Sequence, residues 1–155
     1  MSASAWYVGK VQEAARDFLR AQVWAWIESS NIVAGIHRPT RSSDDLEQEV
    51  RTYPGIVCLC QEAEAVALHS GTWSAELTIT LEMDASDTDH NTFHTRCEEV
   101  MNAVCTTTIA ADLSAALADF YVEQVNVSKQ GWSVEDNKWQ ALITVQVIGC
   151  GQDIT

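Results

Sequence analysis

Tyr7, Val11, Ala14, Ala15, Phe18, Leu19, Val23, Trp26 and Ile27 recur at helical steps, a spacing that gathers side chains on one side of an α-helix. The pattern predicts a helix from about Trp6 to Glu28, with Lys10, Glu13, Arg16, Asp17 and Arg20 on its solvated side. Trp24 falls off the apolar stripe. Asn31 to His37 reads as a short β segment, and the polar stretch from Arg38 through Pro39 to Asp45 reads as a loop. Leu46 to Val50 predicts one helical turn. Tyr53-Pro54-Gly55 then forms a turn that launches Ile56-Val57-Cys58-Leu59-Cys60, an apolar run short enough for a strand buried on both faces.

The cleanest alternation follows. Trp73, Ala75, Leu77, Ile79, Leu81 and Met83 alternate with Ser74, Glu76, Thr78, Thr80, Glu82 and Asp84, as in a strand with one core face and one wet face. Asp87 or Thr88 offers the capping oxygen for a helix whose stripe is Phe93, Cys97, Val100, Met101 and Val104. Thr106-Thr107-Thr108 breaks that helix, because a threonine hydroxyl competes for backbone hydrogen bonds. Ile109, Leu113, Ala116, Leu117 and Phe120 suggest a further helical stretch. Tyr121 to Ser128 and Lys138 to Ile148 predict a β-hairpin, joined by a long connection over residues 130–137 that carries Trp132 at an exposed tip. The order of elements is that of an α+β fold, a mostly antiparallel sheet with helices packed on one face. The whole chain, 1–155, reads as a single domain.

Composition narrows the function. The chain has 155 residues, 46% of them hydrophobic, enough for one core without disulfide or metal staples. Nine Lys and Arg stand against 22 Asp and Glu, a formal charge of −13. Such a charge repels the phosphate backbone, so tight direct binding of DNA or RNA is not expected. No apolar run has the length of about 20 residues that a bilayer-spanning helix needs, and Lys10 interrupts any signal-peptide core; no membrane association is expected. The five cysteines, Cys58, Cys60, Cys97, Cys105 and Cys150, lack paired CxxC spacing and read as free thiols in a reducing cytosol.

Candidate chemistry is sparse. His90, His94 and Cys97 sit at i, i+4 and i+7, where nitrogen and sulfur ligands can face one zinc ion, with Asp87 or Asp89 as a fourth ligand. Against this, Cys97 also lies on the stripe that buries Phe93 and Met101. Cys58 and Cys60 point the same way along a strand, and nothing but proximity ties His69 to them. No nucleophile elbow or glycine-rich phosphate loop is present, and the paired carboxylates read as solvated faces of an acidic chain. The expectation is a protein that is not an enzyme, without cofactor or metal. Six tryptophans are many, and tryptophan concentrates at interfaces. Trp73 and Trp139 lie on core faces of strands, which leaves Trp24 and Trp132 as interface candidates.

Taken together, the segments resemble a phage tail terminator (tail completion) protein of the long non-contractile-tailed phages. The resemblance covers nearly the whole chain in layout: the N-terminal amphipathic helix, the polar loop ending in Tyr53-Pro54-Gly55-Ile56-Val57, and Gly71-Thr72-Trp73 opening the long alternating strand. It continues through the acidic turn from Asp84 to Asp89, the helix to Cys105, Leu117-Ala118-Asp119-Phe120-Tyr121-Val122 and the last strand from Trp139. It implies a homo-oligomeric ring, usually a homohexamer, that caps the tail tube protein, ends tail polymerisation and meets the head-tail connector proteins. Such a virion protein is assembled in the bacterial host cytoplasm, and DNA passes through its hole without specific binding. Asp84, Asp87 and Asp89 are then candidates to line the lumen, where carboxylates repel phosphates. Trp24, Arg38, Arg41 and Trp132 are candidate subunit or tail-tube contacts; Arg38, Arg41 and Arg51 equally suit neutralisation of Asp44, Asp45 and Glu47 beside them. The alternatives are a head-side neck (connector) protein and, in another class, a small metal-dependent enzyme using His90, His94 and Cys97.

Overall fold

The computed structural model describes residues 6–35, 53–66, 71–117 and 120–151. Among the described residues, five strands and three helices form the expected α+β architecture. The elements in chain order are α1 (Tyr7–Arg20), a 3₁₀ turn (Ser29–Asn31), β1 (Ile32–Ala34), β2 (Gly55–Ala65) and β3 (Thr72–Asp84). These are followed by α2 (His90–Val104), α3 (Ile109–Ala116), β4 (Phe120–Glu135) and β5 (Lys138–Gly151). The sheet order is β1-β2-β3-β5-β4, with β1 parallel to β2 and the other three pairings antiparallel.

Alternation along β3 and β5 decides which face of the sheet is dry. Ala75, Leu77, Ile79 and Leu81 of β3, and Ala141, Ile143, Val145 and Val147 of β5, are buried against the helices. Tyr7, Val11 and Leu19 of α1, Phe93 and Val100 of α2, and Leu113 of α3 complete a single core. Trp73, expected in this core, is half-buried at its margin. Glu82 departs from the wet-face expectation: it is 4% exposed, and the Lys138 ammonium lies 3.9 Å from its carboxylate.

Helix α1 stops at Arg20, well short of Glu28. Trp24 donates its indole N–H to the Leu19 carbonyl at 2.7 Å, and the Gln22 amide reaches the Phe18 carbonyl at 3.3 Å. These bonds occupy carbonyls that a continuing helix would need. Val23, assigned to the stripe, is fully exposed, whereas Ile27 reaches the core only after the chain has turned back. The run from Ile56 to Cys60 is buried on one face, not two: Ile56, Cys58 and Cys60 face the helices while Val57 and Leu59 are half-buried. The strand also continues to Ala65. Of the segment predicted as β from Asn31 to His37, residues 31–35 are described; Ile32–Ala34 is strand, and Gly35 turns the chain with φ +73°. The predicted turn over residues 46–50 lies outside the described residues, as does the whole polar loop from Arg38 to Asp45.

The cap of α2 is Asp89, whose carboxylate accepts the Thr92 N–H at 2.8 Å, rather than Asp87 or Thr88. α3 ends at Ala116, and Phe120 opens β4 instead of closing the helix. The largest difference is in the hairpin. Residues 130–135, expected as connecting loop, are strand, and β4 pairs with β5 up to Glu135 opposite Lys138. The turn itself is Asp136-Asn137, with φ of 50° and 60°. Two successive left-handed residues make the tight turn whose twist matches paired strands, and Asp and Asn tolerate that conformation better than other side chains.

Candidate functional site

The extension of β4 carries Trp132 away from any loop tip and places it opposite Ala141 on the helix-facing side of the sheet. There it meets the first turns of α2. The Trp132 ring lies 5.3 Å from His90, 5.1 Å from His94 and 5.9 Å from Trp139, centroid to centroid. Trp139 stacks on buried Phe93 at 5.3 Å and donates its indole N–H to the Thr88 carbonyl at 2.8 Å, tying β5 to the start of α2. An aromatic cluster results, with Trp132 still 49% and Val134 48% exposed. Beside it a shallow cavity of about 200 Å³ is lined by His94, Cys97, Met101, Gln130 and Trp132 among others.

The spacing argument for metal is met only in part. The Nε2 atoms of His90 and His94 approach to 3.0 Å, as i and i+4 residues on one helical face can. Cys97 is half-buried one turn further on, and desolvation pushes its thiol up to about 11, which disfavours the thiolate that metal coordination requires. Among the described residues no three His, Cys, Asp or Glu side chains converge on a common point.

Cys58 and Cys60 lie on the buried side of β2 as the alternation implied, and burial pushes their thiols up to about 12 and about 11. Trp24 is half-buried, folded onto the end of α1 and set edge-on to Trp26 at 5.6 Å. It therefore serves first to close α1, with its outer edge beside fully exposed Val23 in a shallow concavity that also takes in Glu99 and Asn102. Arg38 and Arg41 lie outside the described residues.

The acidic turn between β3 and α2 holds its carboxylates in local hydrogen bonds. Asp84 accepts the Ser86 N–H at 2.9 Å and its hydroxyl at 2.7 Å, Asp87 accepts the Thr88 hydroxyl at 3.0 Å, and Asp89 caps α2. The bonds from Ser86 and Thr92 hold the Asp84 and Asp89 carboxyls below the usual carboxylate range. Asp84 and Asp89 thus stay negative, and Asp87 and Asp89 are exposed.

Two features escaped the sequence reading. The face of the sheet opposite the described helices is a concavity of about 580 Å³ bearing Glu62, Glu64 and Glu76 with Lys129 at its margin; the alternation of β3 showed Glu76 on it, but the reach of β2 beyond Cys60 was not foreseen. The second is the straight outer edge of β4. Its signal was present in the alternation of Gln130, Trp132 and Val134 with Gly131, Ser133 and Glu135, and in the Asp136-Asn137 pair. No protein-family model and no curated protein sequence matches the chain.

Proposed function

We propose that this chain is a structural assembly protein of the tail-terminator kind, a subunit that joins others in a ring of about six on the end of a phage tail tube. In that role it stops tube polymerisation and presents a surface to the head connector, while the genome passes through the ring. The observation that carries this reading is the Trp132 cluster. A large aromatic is held half-exposed by a stacked, hydrogen-bonded support of Trp139, Phe93 and the α2 histidines. A pre-organised aromatic of this kind is the usual anchor of a protein interface, because burying it on docking removes much apolar area at little entropic cost.

Charge supports the same reading. Carboxylates that remain ionised on the β3–α2 turn, together with Glu62, Glu64 and Glu76 on the sheet face opposite the described helices, give two surfaces that repel phosphates. Either one, facing a lumen, lets DNA slide without adhering.

The test is electron microscopy of particles made when the gene is disrupted in its phage. Tails of irregular, excessive length beside filled heads that lack tails are expected. Normal tails of uniform length joined to heads would contradict the reading.

A further inference from the structure

A sheet edge is an open template for another strand, and proteins protect such edges with covering elements, bulges and charges. β4 is an edge strand, and its protection is uneven. At its start α3 covers it: the Ser114 hydroxyl accepts the Val122 N–H at 2.8 Å and lies 3.3 Å from the Val122 carbonyl. Bulges interrupt its register between Val122 and Gln124 and again between Val127 and Lys129. Beyond the second bulge the devices stop. From Lys129 to Glu135 the register with β5 is unbroken, and the five residues Gln130-Gly131-Trp132-Ser133-Val134 contain no charge and no proline.

The direction of the free backbone groups follows from the turn. In a two-residue hairpin the residues flanking the turn exchange both backbone bonds, so Glu135 and Lys138 face each other. Alternation then points the N–H and C=O of Gln130, Trp132 and Val134 away from β5. Among the described residues no backbone bond outside the sheet engages these groups.

We infer that this segment pairs with itself in a second copy of the chain, antiparallel about a two-fold axis at Trp132, so that two sheets become one. The sequence of the segment is self-complementary in that register. Trp132 meets Trp132 of the second copy, and Gln130 meets Val134 of the second copy, with six backbone hydrogen bonds among the outward groups. Gly131 lies opposite Ser133 of the second copy, two small residues on the other face. Lys129 lies opposite Glu135 of the second copy, and the symmetry repeats this pairing of opposite charges at the other end.

Charge selects this partner. Two chains of −13 each repel, yet the proposed contact joins them through an uncharged strand bounded by one cation and one anion that exchange partners across the axis. Any shift of register by two residues sets Lys129 against an uncharged residue or the turn and loses the pairing. The half-exposed faces of Trp132 and Val134 are covered by the added strand, which is the gain an edge of polar residues would lack. The two-fold contact closes on itself, so it makes a dimer and not a ring; it covers the same Trp132 that the proposed function offers as an anchor, so the free dimer releases this contact when the chain joins a tail.

The test is sedimentation of the full chain at low salt, with circular dichroism to verify folding. The wild type dimerises in the micromolar range, about what a small interface supports. Glu135→Lys sets two lysines together at each end, and Lys129→Glu sets two glutamates together; each weakens the dimer by about tenfold or more, since each change acts twice. The double variant Lys129→Glu/Glu135→Lys exchanges the charges and returns the affinity to within about threefold of wild type. Val134→Pro removes an outward N–H without touching the ladder to β5 and abolishes dimerisation. A wild type that stays monomeric throughout the micromolar range, or a double variant no tighter than either single one, would overturn the inference. Neither result bears on tail length in the disrupted phage, so the two proposals fail separately.

Discussion

A β-carbon placed on Gly149 would lie 2.7 Å from the Tyr7 hydroxyl oxygen and 2.6 Å from the Tyr121 carbonyl oxygen. The glycine in β5 is therefore what allows the first residue of α1 to lie flat on the sheet. Tyr7 is 1% exposed, its ring sits 4.8 Å from Phe120, and its hydroxyl reaches the Val147 carbonyl at 3.4 Å. Gly149→Ala is expected to destabilise the fold by about 1–3 kcal/mol, the usual cost of overpacking a rigid site, as read from urea unfolding. Tyr7→Phe in the same chain should recover only part of the loss, because the Tyr121 carbonyl is backbone and does not move away.

Burial sorts the cysteines. Cys58 and Cys60 are 0% and 3% exposed, whereas Cys105 is exposed. A thiol reagent at mildly alkaline pH should modify Cys105 first and reach Cys58 and Cys60 only on unfolding. The raised thiol values also set an alkaline limit. The folded chain keeps protons that the unfolded chain releases, so this contribution is complete below the ordinary thiol value near 9 and is lost as pH rises towards about 12. Stability measured by denaturant should fall over that range, and less steeply in Cys58→Ala.

Asp89 makes the opposite prediction in acid. Its carboxyl is held below the usual range by the Thr92 hydroxyl and N–H, so the stabilisation is present above the ordinary carboxylate range and is lost as pH falls through the depressed value. Asp89→Ala should lower the thermal midpoint at neutral pH through loss of the α2 cap. In strong acid the two chains should unfold at closely similar temperatures.

The hairpin turn tests the extended reading of β4. Asn137 holds φ at 60°, where a β-branched residue is strained. Asn137→Val should cost about 1–2 kcal/mol, while Asn137→Gly should be neutral or mildly stabilising. Loss of the near-ultraviolet signal of the Trp132 and Trp139 cluster in the valine variant would show that the turn positions the cluster.

Where one face of β3, β5 or α2 is dry, its periodicity was legible in the residues, whereas the apolar half-buried residues of β2 hid its one-sided burial. The alternation from Ala75 to Met83 and the stripe from Phe93 to Val104 appear where expected because packing against one partner imposes one period. Element ends were harder to read. α1 stops because Trp24 and Gln22 bond its last carbonyls, a local side-chain capping that hydrophobic spacing does not carry. The outer half of β4 was hidden because its residues are exposed on both faces, leaving weak alternation, and because Gly131 imitates a turn. The histidine pair was legible as spacing, yet its surroundings were not: only the folded chain sets Trp132 and Trp139 around His90.

The most direct measurement is a cryo-electron microscopy reconstruction of the intact phage at the junction between head and tail. The account predicts a ring of about six copies of this fold seated on the last layer of tube subunits, with either the β3–α2 turn or the Glu62, Glu64 and Glu76 face towards the DNA channel. A junction in which this chain is absent, or in which it lies on the head side without touching the tube, would contradict it.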